Sequence, residues 1–149
     1  MTGTVAAMST TDSVIGATLR ETGHRVTSQR LVLHRAVREA GRHVTAEEVL
    51  DAVRERLPGV ALPTVYATLE LFEGLGLIRR IRTSSGPALF DPVLDGHHHL
   101  VCRRCGAVQD LPPSVETAAA VACAVERGFG EPRAELLVTG VCGPCAAPA

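Results

Sequence analysis

The chain has no lysine, no tryptophan, one tyrosine and three phenylalanines among 149 residues. Without lysine, every cationic side-chain contact falls to arginine, whose planar guanidinium makes bidentate contacts with phosphate and guanine. So few rings exclude a core built on large aromatics and leave Leu, Val and Ala to fill it. No apolar run approaches the roughly 20 residues that span a bilayer, so no membrane segment is expected. Residues 1–13 lack both a cationic segment and an apolar run of secretory length. They are expected to form a short disordered tail, and the protein to be cytoplasmic. A net charge of -1 decides nothing about nucleic acid, but the charge is uneven. Residues 1–90 carry 11 Arg against 9 acids, and residues 91–149 carry 4 Arg against 7. At 46% hydrophobic and 21% charged, the chain reads as globular, with one ordinary domain or two small ones.

What is present in excess is soft and borderline metal-binding chemistry. Gly96-His97-His98-His99-Leu100-Val101-Cys102-Arg103-Arg104-Cys105-Gly106 holds three histidines and two thiols, and Cys142-Gly143-Pro144-Cys145 lies near the end. In a reducing compartment, five cysteines favour metal ligation or redox chemistry over disulfides. Two Cys-x-x-Cys knuckles together make the tetrahedral thiolate cage of a structural zinc from Cys102, Cys105, Cys142 and Cys145. The competing reading is a thiol-disulfide oxidoreductase, because Cys-Gly-Pro-Cys is also the thioredoxin tetrapeptide. That role needs a helix at the motif to lower the thiol pKa, and only four residues follow Cys145, so no helix is expected there. Cys123, among Ala and Val in a helical stretch, is expected to be a small buried hydrophobe.

Side chains alternate along a strand, which puts His97 and His99 on one face and His98 on the other, solvated or packed. Asp91, six residues before His97, and Asp110, five after Cys105, are candidate carboxylates to join the first pair, against the alternative that either is a solvated surface aspartate. Imidazoles and carboxylates without thiolate suit iron(II) or manganese(II), and zinc would also bind tightly unless availability or geometry excluded it.

The surrounding pattern predicts an α+β protein. Asp12 or Ser13 caps a first helix that Gly23 stops, and Thr27 caps a second over 28–40, closed by Gly41. Thr45-Ala46-Glu47-Glu48 is a capping box, with Val44 and Val49 spaced as a hydrophobic staple, and Pro58-Gly59 follows the helix. Pro63 opens a fourth helix, 63–72, with Val65, Leu69 and Phe72 on one face. A hairpin over 77–82 and 88–90 completes a winged helix-turn-helix. Beyond a hinge at 91–96, strands at 97–101, 107–111 and 134–141 and a helix at 113–127 form a small α/β unit. The expected organisation is a tail (1–13), a winged-helix DNA-binding domain (14–90), the hinge, and a dimerisation and metal-binding domain (97–149).

Arg25-Val26-Thr27-Ser28-Gln29-Arg30, His43-Val44-Thr45-Ala46-Glu47-Glu48, Thr64-Val65-Tyr66-Ala67-Thr68-Leu69, the histidine strand with its knuckle, and the closing Cys142-Gly143-Pro144-Cys145 occur in one order. In these motifs the chain resembles the ferric uptake regulator (Fur) superfamily of dimeric, metal-dependent bacterial repressors over residues 14–145. The resemblance implies structural zinc on the four paired cysteines and a regulatory metal, iron or manganese, on His43, Asp91, His97, His99 and Asp110. It places His43, which local spacing could not nominate, in the DNA-binding half. Aspartate at both carboxylate positions is similar to the peroxide-sensing PerR-like branch, whereas iron-uptake members commonly have glutamate. A further family site needs a histidine where this chain has Gly96 and another near Arg133, so that site is expected to be absent.

For DNA, the resemblance implies that the fourth helix enters the major groove of a pseudo-palindromic operator, with Tyr66 and Thr64 toward bases. Ala67 stands where a longer polar residue is often found. With only Glu70 and Glu73 charged on that helix, phosphate contacts are expected from Arg25, Arg30, Arg79, Arg80 and Arg82, and affinity is expected to fall steeply with salt. A zinc-stabilised interaction domain that binds no DNA is the remaining alternative.

Overall fold

The computed structural model describes residues 10–83, 86–94, 96–113 and 116–147. Part of the expected tail, the hairpin turn, the hinge and the start of the fifth helix therefore lies outside the described residues. The chain divides into two compact units, Met1–Ile81 with Ala88–Val93, and Arg82–Pro87 with Leu94–Ala149.

In the first unit, α1 (Thr10–Glu21), α2 (Ser28–Ala40), α3 (Ala46–Val53) and α4 (Leu62–Gly74) pack together, followed by the antiparallel hairpin β1 (Arg79–Ile81) and β2 (Leu89–Asp91). α1 begins ahead of its expected cap. Asp12 is buried in the first turn and ion-paired at 2.5 Å to Arg35 of α2, which fixes that turn in place. Thr27 caps α2 by accepting from the Arg30 N–H, and Gly41 ends it with φ 60. The α3 capping box is complete, with Thr45 Oγ1 accepting from Glu48 N and Glu48 Oε2 accepting from Thr45 N. Val44 and Val49, the expected staple pair, are both buried in the core. Val65, Leu69 and Phe72 turn the inner face of α4 into that core, where each is fully buried.

Outside the regular hairpin, Val44 forms an isolated antiparallel bridge with Phe90, N–H to carbonyl in both directions at 3.0 and 2.7 Å. It sews the segment before α3 onto the wing.

The second unit is a three-stranded sheet in the order β4-β3-β5, with β3 His98–Cys102, β4 Val108–Leu111 antiparallel to it and β5 Leu137–Gly140 parallel to it. A parallel neighbour needs a crossover, which carries α5 (Glu116–Glu126). The chain then forms one helical turn, α6 (Gly143–Ala146). Two expectations are corrected here. Cys123 is exposed rather than buried, because α5 presents that face outward. A helix does form at Cys-Gly-Pro-Cys: Pro144 sits in its first turn, where its fixed φ suits helix entry, and Cys142 is the N-cap.

Candidate metal centre

The four paired cysteines meet in the second unit. Cys102 ends β3, Cys105 closes the turn after it, Cys142 caps α6 and Cys145 lies within it. Their sulfurs all lie within 4.8 Å of one another. Cys105 Sγ and Cys142 Sγ are 3.7 Å apart, against an edge of about 3.8 Å for a tetrahedron of zinc–sulfur bonds of about 2.3 Å. All are free thiols, so the residues fit a zinc held by four thiolates.

The local backbone is bent to bring them there. Gly106, at φ 74, allows the knuckle turn and donates its N–H to the Cys102 carbonyl. Arg104 donates to the Cys145 carbonyl, tying one knuckle to the other. Backbone N–H groups of Cys142 and Cys105 point at the Cys102 sulfur and pull its pKa down to about 5. Hydrogen bonding with the Cys142 and Cys105 thiols, reinforced by the nearby Cys102 thiolate, pushes Cys145 up to about 12. Four thiols this close resist sharing negative charge, which a dication relieves.

The nitrogen and oxygen candidates fall into two groups, one in each unit. In the first unit, the Val44–Phe90 bridge makes His43 and Asp91 cross-strand neighbours, and His43 Nε2 lies 3.6 Å from Asp91 Oδ2. Asp91 is buried, and its other oxygen accepts from the Val93 N–H at 2.8 Å, so Oδ2 is the one directed at the imidazole.

In the second unit, His97 and His99 share a face with ring centroids 4.7 Å apart. Antiparallel pairing sets Asp110 directly opposite His99, and Asp110 Oδ1 lies 3.7 Å from His97 Nε2 and 3.8 Å from His99 Nε2. His98, on the opposite face, is buried, and its Nδ1 accepts from the Leu136 N–H. Sequence reasoning missed Glu135, whose Oε1 is 2.9 Å from His99 Nδ1. No local spacing could signal it, since 36 residues separate the two and only the β3–β5 register joins them.

Of the residues expected to face DNA, Thr64 and Ala67 are exposed on α4, and Tyr66 is half-buried with its hydroxyl donating to Glu47 Oε1 at 3.2 Å. Arg25 is exposed, and its carbonyl accepts from Arg30 Nη1. Arg79 and Arg80 are half-buried. Arg80 lies 3.3 Å from Glu70 and 3.9 Å from Glu73, so its charge is engaged by the acids of α4.

A winged helix followed by a unit with a four-thiol cage and a histidine–carboxylate cluster defines a metal-dependent DNA-binding regulator. The model of the ferric uptake regulator family matches residues 21–131. The chain belongs to that family, whose members are transcription regulators rather than enzymes, bind DNA and act as dimers. It is 39% identical over 120 residues to ferric uptake regulation protein 1 of Mycolicibacterium fortuitum, covering 80% of this chain and 74% of the relative. It is 31% identical over 129 residues to the peroxide operon regulator of Bacillus subtilis, covering 86% and 88%. The structure of the ferric uptake regulator from Pseudomonas aeruginosa with manganese superposes with a TM-score of 0.72 at 31% identity, covering 86% of this chain and 97% of that one. No helix among the described residues is long and apolar enough to cross a membrane.

Proposed function

We propose that this regulator is a peroxide-sensing repressor of the cytoplasm, carrying structural zinc on Cys102, Cys105, Cys142 and Cys145 and iron(II) or manganese(II) on His43, Asp91, His97, His99 and Asp110. The observation that carries the reading is the pair of aspartates, Asp91 opposite His43 and Asp110 opposite His99, in a donor set free of thiolate. Such a set suits iron(II) and manganese(II). Aspartate at both positions is the pattern of the PerR-like branch that the chain resembles.

His43 and Asp91 belong to the first unit, which carries α1 to α4, and His97, His99 and Asp110 to the second. Engaging both groups with one ion links metal binding to the orientation of α4, so metal and operator affinity rise together. In a two-fold dimer, α4 of each copy reads one half of a pseudo-palindromic operator through Thr64 and Tyr66, while Arg25, Arg30 and Arg79 supply phosphate contacts and Arg80 joins them on exchanging Glu70 and Glu73 for phosphate. Exposed Val125, Phe129, Leu137 and Val138 in the second unit support its role as the dimerisation domain.

Iron(II), when bound, would activate peroxide beside the imidazoles that hold it. The C2–H carbon of the His43 or His97 ring would be oxidised by two electrons, taking up one peroxide oxygen while the other leaves as water, so peroxide is the net oxidant. The 2-oxo ring would be a poorer ligand, and metal and operator would be released.

The test is anaerobic loading with iron(II), a stoichiometric pulse of hydrogen peroxide, and mass spectrometry of the peptides bearing His43 and His97. A gain of one oxygen is expected. An unchanged mass overturns the sensor and leaves the second reading, an iron-uptake repressor with iron(II) as co-repressor, which the 39% identity to the mycobacterial ferric uptake regulation protein favours.

A further inference from the structure

We propose that Glu135 is a positioning residue for the regulatory metal: it holds the His99 proton on Nδ1 and so presents the Nε2 lone pair to the ion. The inference rests on the regulatory-site reading above. The His99 ring is fully buried, and a carboxylate faces each of its nitrogens. Glu135 Oε1 is 2.9 Å from Nδ1, within hydrogen-bond reach, whereas Asp110 Oδ1 is 3.8 Å from Nε2, beyond it. Neutral imidazole has a single N–H, and an ionised carboxylate only accepts. The proton therefore sits on Nδ1, and the Nε2 lone pair points to the side occupied by His97 and Asp110.

The fold holds Glu135 in register for this. His99 pairs with Leu137 in the parallel ladder, the His99 N–H donates to the Leu136 carbonyl at 3.0 Å, and the Leu136 N–H donates to His98 Nδ1 at 3.3 Å. The segment entering β5 is thus tied to both histidines, one on each face of β3. Asp110 meets the ring from the metal side and Glu135 from behind, so the two acids have separate roles. The Glu135 side chain is 41% exposed, so truncating it strands no buried charge, and the fold is expected to survive.

The test compares full-length, zinc-loaded wild type with Glu135→Gln, Glu135→Ala and His99→Ala. Without regulatory metal, nitrogen-15 NMR of His99 is expected to show the Nδ1–H tautomer in wild type and in Glu135→Gln, whose amide oxygen still accepts. In Glu135→Ala the ring is expected to relax toward Nε2–H. Manganese(II) titration followed by electron paramagnetic resonance is expected to show about 10- to 100-fold weaker binding for Glu135→Ala, with partial rescue in Glu135→Gln. Should Glu135→Ala keep the Nδ1–H form and an affinity within about twofold of wild type while His99→Ala loses manganese, Glu135 has no positioning role. Should His99→Ala bind manganese normally, the regulatory-site reading fails, and this inference with it.

Discussion

His34 sits in α2 with its ring edge-on to Phe72, centroids 5.5 Å apart, and is only 4% exposed. Burial, reinforced by the neighbouring Arg38 charge and opposed by Asp12, lowers its pKa from 6.5 to about 4. The folded state therefore resists protonation that the unfolded chain accepts. Stability is unaffected above pH 6.5 and is lost as pH falls from there toward 4. The loss by pH 5 is about 2 kcal/mol, at about 1.4 kcal/mol per pH unit. His34→Leu is expected to flatten this part of the acid limb in urea titrations at about pH 7 and pH 5; an unchanged pH dependence would show that other groups set it. Residue chemistry of this sort is partly legible in sequence. The spacing of Leu33 and Val37 marks the inner face of α2, but nothing local says that His34 joins it.

Among the elements, α3 is the easiest to read. Its capping box depends on four consecutive residues, and both reciprocal hydrogen bonds form as the spacing predicts. Thr45→Ala is expected to cost about 1 kcal/mol, read as a lower urea midpoint with an unchanged slope. Elements whose surroundings lie far away in sequence are harder. The Ala- and Val-rich run around Cys123 looks like core, yet the face of α5 that carries Cys123 is open. The one-turn α6 has Pro144 as a local signal but is also held by the Cys102 knuckle across the sheet: the Cys142 N–H lies 3.4 Å from Cys102 Sγ, and Arg104 holds the Cys145 carbonyl.

At the scale of the whole molecule the two units differ in how they are held together. The main hydrophobic cluster runs from Ile15 to Phe90 and lies entirely in the first unit. In the second unit, Val101 and Cys102 are the buried hydrophobic residues among those described, and His98 and His99 are buried beside them. So thin a core makes the thiolate cage a principal support, since a structural zinc contributes on the order of 10 kcal/mol to folding. In a Cys123→Ser variant, the four remaining thiols are expected to resist alkylation until a strong chelator is added, with loss of β-sheet ellipticity on chelation. Rapid labelling of the native protein before chelation would show that the cysteines are not metal-bound.

The sequence by itself determined what depends on short-range order: α2 and α3 with their caps, the inner face of α4, the wing strands, each Cys-x-x-Cys knuckle, and the facing of His97 with His99. Each follows from helical or strand periodicity, or from spacing within a few residues. Tertiary structure alone decided the meetings across long intervals. The Val44–Phe90 bridge set His43 beside Asp91, antiparallel pairing put Asp110 opposite His99, and the parallel β3–β5 register delivered Glu135 to the back of that ring. Strand pairing joins residues at any separation in sequence, and its register is fixed by which faces the folded sheet must bury, so these contacts leave no local period to read.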